Sequence, residues 1–385
     1  MSRQELPELI TALLATTRYP HAVDRVELMQ THGAWVLLAG DRAYKIKKPV
    51  ALPFMDFSTL DKRRVACEAE LRVNRRFAPA DPAAQIYLSA LPITGSPTTP
   101  IIGGEPSEAI EWAVQMRRFP EADRLDHVAE RGELSAAMLQ TLARHLAAFQ
   151  RNAAVAGVDS PWGTPEDVAA FARDNLTSLR ETLIEEADLR MVTTLTACTE
   201  THISQLTPLL RQRRGEGRVR EGHGDLHLAN LVRLGENVIP FDAIEFNDAL
   251  RWIDVASDIA FLWIDLWRIG QAGLAHVLLS EWLDASGDVS APSVVPFFAV
   301  YRALVRAKVA GIRWTQLPEA SNAAAEALEE VRTYLQLAIT LAERPAHLSS
   351  PQLVITHGLS GSGKTWTSTR WLMAQTDART IRLRS

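Results

Sequence analysis

The feature that most constrains the fold of this chain is a change of hydrophobic period at Pro120. Before it lie short β-branched and aromatic runs with turn signals between them, VELMQ, AWVLLAG, DRAYKIKK, QIYLSALPI and AIEWAVQMRRFP. After it nearly every apolar stretch recurs at three- and four-residue spacing, over about 134–154, 165–183, 189–212, 296–314 and 320–342. Runs of strands followed by runs of helices imply an α+β chain with a β-rich lobe, a helical lobe and a crossover near residues 116–119. The expected domains are therefore 1–119, 120–345, and a separate segment 346–385.

Composition narrows the classes. With 385 residues, 47% hydrophobic and 23% charged, the chain reads as an ordinary globular protein. A net charge of −5 with mixed signs argues against nucleic acid or a membrane surface as partner. Cys67 and Cys198, the two cysteines, lie far apart and suit a reducing, cytoplasmic setting. The first residues read as an amphipathic helix on Leu6, Leu9, Ile10, Leu13 and Leu14, not as a signal peptide. No run reaches membrane-spanning length.

Within the β-rich part, Tyr44 and Ile46 point to one face of a strand and Lys45 and Lys47 to the other. A helix opens at Ser58, with Asp61 three residues on, and runs to about Phe77. On it, Glu68 has arginine neighbours at helical spacing and reads as a surface ion-pair residue. Glu70 instead falls in the packed stripe Ala66, Glu70, Val73, Phe77, where a carboxylate needs a cation to offset its desolvation. Lys45 or Lys47 is the expected partner. Met116 to Phe119 would form a hinge whose backbone groups bind an adenine edge.

The stretch His223 to Asp242, HGDLHLANLVRLGENVIPFD, concentrates the chemistry. Asp225 and Asn230 stand five apart, and Asp242 ends a short apolar run that reads as a strand. One carboxylate to take a hydroxyl proton, with an amide and a second carboxylate to hold a metal, is the set that phosphoryl transfer requires. Downstream, Trp263 and Trp267 lie in a stripe that reads as core, and Asp258 reads as an acid that accepts backbone N–H bonds and holds the loop rigid. Near the C-terminus, LVITHGLSGSGKTWTSTRWL reads as strand, GxxxxGKT loop and helix, with Gly358, Gly363, Lys364 and Thr365 placed to cradle polyphosphate. Only twenty residues follow Thr365, so this is expected to be the start of an incomplete P-loop domain, with Leu353, Val354, Ile355, Trp366 and Trp371 lacking their partner sheet.

These residues resemble the aminoglycoside phosphotransferase and choline kinase superfamily, which has a protein-kinase-like, bilobal fold. HGDLHLAN is similar to the family's HGDxxxxN loop and FDAIEF to its later metal-binding aspartate segment. THGAWVLLAGDRAYKIKKPV, the Glu70 helix and WIDVASDIAFL extend the likeness over roughly 20–340. The glycine-rich loop over the phosphates is reduced to Thr31, His32 and Gly33. The order of the pieces resembles bacterial proteins in which such a domain precedes a P-loop kinase-like domain.

The resemblance implies an ATP site between the lobes, with Asp225 as catalytic base, Asn230 and Asp242 as Mg2+ ligands, Lys45 as phosphate lysine and Glu70 as its partner. Asp258 would brace the loop. The expected reaction moves the γ-phosphate of ATP to a hydroxyl of an aminoglycoside, amino sugar, sugar or amino alcohol. Glu245 and Asp248 would suit a cationic acceptor. The alternatives are a nucleotide-binding regulatory module without turnover, and a protein kinase or autokinase.

Overall fold

A computed structural model describes residues 6–31, 33–52, 55–78, 82, 85–318, 320–343, 353–375 and 380–383. His32 of the shortened phosphate loop lies outside them. In chain order the elements are α1 (Glu8–Ala12), β1 (Val26–Gln30), β2 (Ala34–Ala39), β3 (Arg42–Lys47), β4 (Ala51–Leu52), β5 (Met55–Asp56) and α2 (Leu60–Arg75). There follow β6 (Tyr87–Ser96), β7 (Thr99–Ile102), β8 (Glu111–Arg117), α3 (Leu125–Glu130), α4 (Ala136–Asn152), α5 (Pro165–Thr182) and α6 (Glu186–Gly215). Then come β9 (Val219–Glu221), β10 (Leu231–Leu234), β11 (Asn237–Pro240), α7 (Asp248–Arg251), β12 (Trp252–Asp254) and α8 (Val255–Arg268). The last helices are α9 (Ala272–Ser286), α10 (Val295–Thr315), α11 (Asn322–Ala342) and α12 (Lys364–Met373). Two compact units result: residues 1–132 with 229–251, and residues 133–228 with 252–385.

The first unit is built on an antiparallel sheet of order β1-β2-β3-β8-β6-β7. Tyr44 and Ile46 of β3 enter a core with Ile10, Leu13, Leu37 and Ile93, which leaves the lysines of the same strand on the opposite face. β8 lies inside the sheet, between β3 and β6. The Gly/Pro/Thr-rich stretch after Thr94 continues β6 and adds β7 through a hairpin that pairs Ser96 with Thr99. Pro100 is tolerated because β7 is an edge strand.

Helix α2 starts one residue later than Ser58 suggested. Thr59 is its N-cap and accepts from the Lys62 N–H at 3.3 Å, while Ser58 bonds the Asp56 carboxylate. Its inner face carries Ala66, Cys67, Glu70, Val73 and Asn74. Cys67, Tyr87, Trp112 and Val114 close a second core with Val232 and Ile239 of the β10–β11 hairpin.

The second unit is helical apart from the short β9–β12 pair. Every residue of α8 from Val255 to Leu266 is buried, as is every residue of α9 from Leu274 to Leu283, so these two helices form its centre. The aromatic stripe of α8 is core: Trp263 is 2% exposed. Arg213, wholly buried near the end of α6, bonds Asp254 at 2.7 Å and Asp288 at 2.8 Å. Residues 353–357, expected as the strand before the GxxxxGKT loop, form none, since an isolated extended segment has no ladder partner for its backbone groups. Leu353 and Ile355 stand exposed, while α12 lies against α9. Among the described residues no helix is long and apolar enough to cross a membrane.

Candidate active site

In the first unit β3 and α2 bring three expected residues together. Lys45 Nζ lies 2.8 Å from Glu70 Oε1 and 2.5 Å from Asp242 Oδ1. Lys47 Nζ lies 2.5 Å from the other oxygen, Glu70 Oε2, and also pairs with Glu245. Both lysines therefore reach the carboxylate that the sequence left to one of them. They differ in access: the Lys45 side chain is 14% exposed, whereas that of Lys47 is 1% exposed and lies over the Phe57 ring.

Two ammoniums among three carboxylates shift one another. Burial pushes the Lys45 pKa down, but Asp242, Glu70 and Glu245 together hold it well above the usual lysine value. Burial pushes Glu70 up, and Lys45 and Lys47 outweigh it to keep this carboxyl below its ordinary value. Glu245 ends above its ordinary value, because burial and the charge of Glu70 exceed the pull of Lys47 and Lys45. Its pairing with Lys47 removes Glu245 from the acids expected to meet a cationic acceptor, and Asp248 pairs with Arg251.

Asp242 is held in a conformation that L residues seldom adopt, with φ +61°. Its N–H donates to the Tyr87 hydroxyl at 2.9 Å, and the next N–H, of Ala243, donates to Asn74 Oδ1 at 2.8 Å. Asn74 in turn donates to the Glu70 carbonyl. Sequence reasoning missed Tyr87 and Asn74; only the place of Asn74 one helical turn beyond Glu70 hinted at its role. The β10–β11 hairpin sets Asn230 opposite the residue before Asp242, since the Phe241 N–H donates to the Asn230 carbonyl at 3.0 Å. Met116 lies within β8, opposite Ala43 on one side and Tyr87 on the other.

The second unit carries Asp225. The carboxylate of Asp258 accepts from the N–H groups of His223 at 2.8 Å and Gly224 at 3.0 Å, and Asp265 accepts from that of Leu228 at 2.9 Å. Arg302 donates to the Gly224 carbonyl at 2.9 Å. The loop around Asp225 is thus fixed by its backbone, leaving the side chain to meet His227 Nε2 at 3.3 Å. Burial raises the Asp225 pKa, but His227, Arg306 and His223 outweigh it and hold the carboxyl below the usual range. Asp258 takes the bracing role expected of it; Arg302 and Arg306, far downstream on α10, gave no signal in the sequence.

The residues expected to form a P-loop also lie in the second unit. Gly358, Gly361 and Gly363 adopt positive φ, and Lys364 Nζ donates to the carbonyls of Gly358 at 2.7 Å and Leu359 at 2.6 Å. Thr365 is in the first turn of α12. A cavity of about 830 Å³ borders this loop and Gln140 of α4, but it is lined by none of the groups around Asp225. The chemistry of the Asp225 loop, not that volume, marks the catalytic candidate.

No protein-family model matches the sequence. Uncharacterized proteins of Mycobacterium tuberculosis and Mycobacterium bovis are 32% identical over 347 residues, which is 88% of this chain and 63% of theirs. The chain thus spans less than two thirds of the length of these relatives. Among solved structures, an ADP-bound aminoglycoside phosphotransferase aligns with 87% of this chain and 98% of its own at 12% identity and a TM-score of 0.42. A choline kinase of Streptococcus pneumoniae aligns with 86% of this chain and 96% of its own at 11% identity and a TM-score of 0.50. On that last match the chain has the α+β fold of that choline kinase.

Proposed function

We propose that the chain is an ATP- and Mg2+-dependent phosphotransferase that moves the γ-phosphate to a hydroxyl of a small molecule. The observation that carries this reading is the Lys45–Glu70–Asp242 cluster, in which a strand lysine is held by a helix carboxylate beside a second, half-exposed carboxylate. Lys45 would bind the α- and β-phosphates, with Glu70 keeping its ammonium charged and aimed.

Asn230 and Asp242 fit Mg2+ by the chemistry of their donors, an amide oxygen and a carboxylate, both hard oxygen ligands. The Lys45 ammonium at Asp242 occupies the position of a cation there, and the Asp242 side chain is 45% exposed. When bound, Mg2+ supplies charge neutralisation on the transferring phosphoryl group.

Asp225 would orient the acceptor hydroxyl and take its proton. A carboxylate held below the usual range stays ionised at neutral pH and keeps an acceptor oxygen available, which suits a transition state in which positioning outweighs basicity. His227 would hold the side chain in place. The acceptor belongs to the aminoglycosides, amino sugars, sugars or amino alcohols. No turnover is assigned to the P-loop segment.

The test is ATP consumption against a panel of those four acceptor classes, with Asp225→Ala as control. Acceptor-dependent ADP release that disappears in Asp225→Ala supports the reading. Binding of ATP with Mg2+ but no phosphorylated acceptor favours a regulatory module, and label transferred from ATP to the protein alone favours an autokinase.

A further inference from the structure

The second lysine of β3 is the more deeply buried of the two, its side chain 1% exposed against 14% for Lys45. Lys47 Nζ touches Glu70 Oε2 at 2.5 Å and pairs with Glu245, and neither carboxylate side chain is more than 6% exposed. Glu245 lies three residues beyond Asp242, on the stretch that leaves the β10–β11 hairpin. Lys47 therefore fastens β3 to α2 and both to the stretch that presents Asp242.

The backbone of that stretch is held at the Asp242 N–H by Tyr87 and at the Ala243 N–H by Asn74. These bonds fix where residues 242 and 243 lie. Past residue 243, the Ile244 carbonyl accepts from Arg251, which belongs to the same stretch, and Phe246 packs against the cluster of Phe57 and Ala66. The ion pair at residue 245 is directional and ties the stretch to β3. The left-handed region is costly for any residue with a Cβ, Asp included, and contacts around Asp242 offset that cost.

We propose that Lys47 and Glu245 form a buried latch that positions Asp242 for the metal–nucleotide complex without touching it. The division of labour on one strand is then complete: Lys45 faces ligand and Lys47 sets the frame. Glu70 joins the two, one oxygen to each lysine. This rests on the phosphotransferase reading, because it assigns Asp242 to the metal.

A latch of this kind acts on one quantity, the gain in ATP affinity that Mg2+ provides. The experiment measures the dissociation constant of ATP by calorimetry with and without Mg2+, in wild type, Glu245→Gln, Lys47→Met and Lys47→Met/Glu245→Gln, with thermal unfolding of each. The expected result is a gain reduced at least five-fold in Glu245→Gln, with metal-free affinity within two-fold of wild type. The double variant, which leaves no unpaired charge, should fold and should lose no more of the gain than the single changes, as two members of one device do. Lys47→Arg, which keeps a donor for both carboxylates, should restore most of it.

A folded Glu245→Gln or double variant with the full Mg2+ gain overturns the latch and leaves the phosphotransferase reading standing, whatever its unfolding temperature. Additive losses in the double variant overturn it as well. A wild type that binds no ATP removes the functional reading, and the latch falls with it.

Discussion

Lys47 of β3 and Glu70 of α2 form an ion pair at 2.5 Å with side chains 1% and 0% exposed. Removing Lys47 leaves Glu70 and Glu245 in a dry site with Lys45 as their shared cation. Breaking a buried pair on one side costs about 3–5 kcal/mol, and Lys47→Met is expected to fall in that range by urea denaturation. Adding Glu245→Gln should recover part of the loss. A cost below about 1 kcal/mol in Lys47→Met would contradict the burial of this network.

Asp258 supports the loop of Asp225 through two backbone N–H groups. Asp258→Ala leaves both without their acceptor, at about 1–3 kcal/mol for each buried group. The expected phenotype is a less stable protein whose phosphoryl transfer falls by at least ten-fold at saturating ATP, while its ATP affinity holds. Unchanged stability together with unchanged turnover would show that the loop does not depend on this acid.

Acid stability follows from the carboxyls that the fold holds low. Asp225, Glu70 and Asp288 all have folded values below the ordinary ones; burial acts against this, and His227, Lys45 and Arg213 respectively are the leading groups that override it. A depressed folded pKa contributes stability that is complete above the unfolded value, about pH 4, and is lost as pH falls through the folded value. Denaturation free energy should therefore decline as the pH drops below about 4, and Asp288→Asn should flatten that decline. Stability that rises on acidification in this window would reverse the sign and reject the assignment.

How much of this was legible in the sequence depended on whether the signal was local. The alternation along β3 set Lys45 and Lys47 on one face, and the stripe of α2 marked Glu70 as a buried acid in need of a cation. Asp258 could be read because an acid on an apolar helix has few other uses. Tyr87, Asn74, Arg302 and Arg306 could not, since each works through a contact set by tertiary packing and each residue type is common in such elements. One error has the same origin. Glu245 reads as an acid for a cationic acceptor because its partner, Lys47, lies 198 residues away and leaves no local signal. The stretch 353–357 failed in the opposite sense: its pattern is that of a strand, but a strand needs a neighbour.

The most direct measurement is a crystal structure of the protein with a non-hydrolysable ATP analogue and Mg2+. The expected result is Asn230 and Asp242 on one metal at about 2.0–2.1 Å, with Lys45 drawn from Asp242 to the phosphates while it keeps Glu70. A nucleotide bound elsewhere, with Lys45 still paired to Asp242 and no metal at Asn230, would contradict the proposed function.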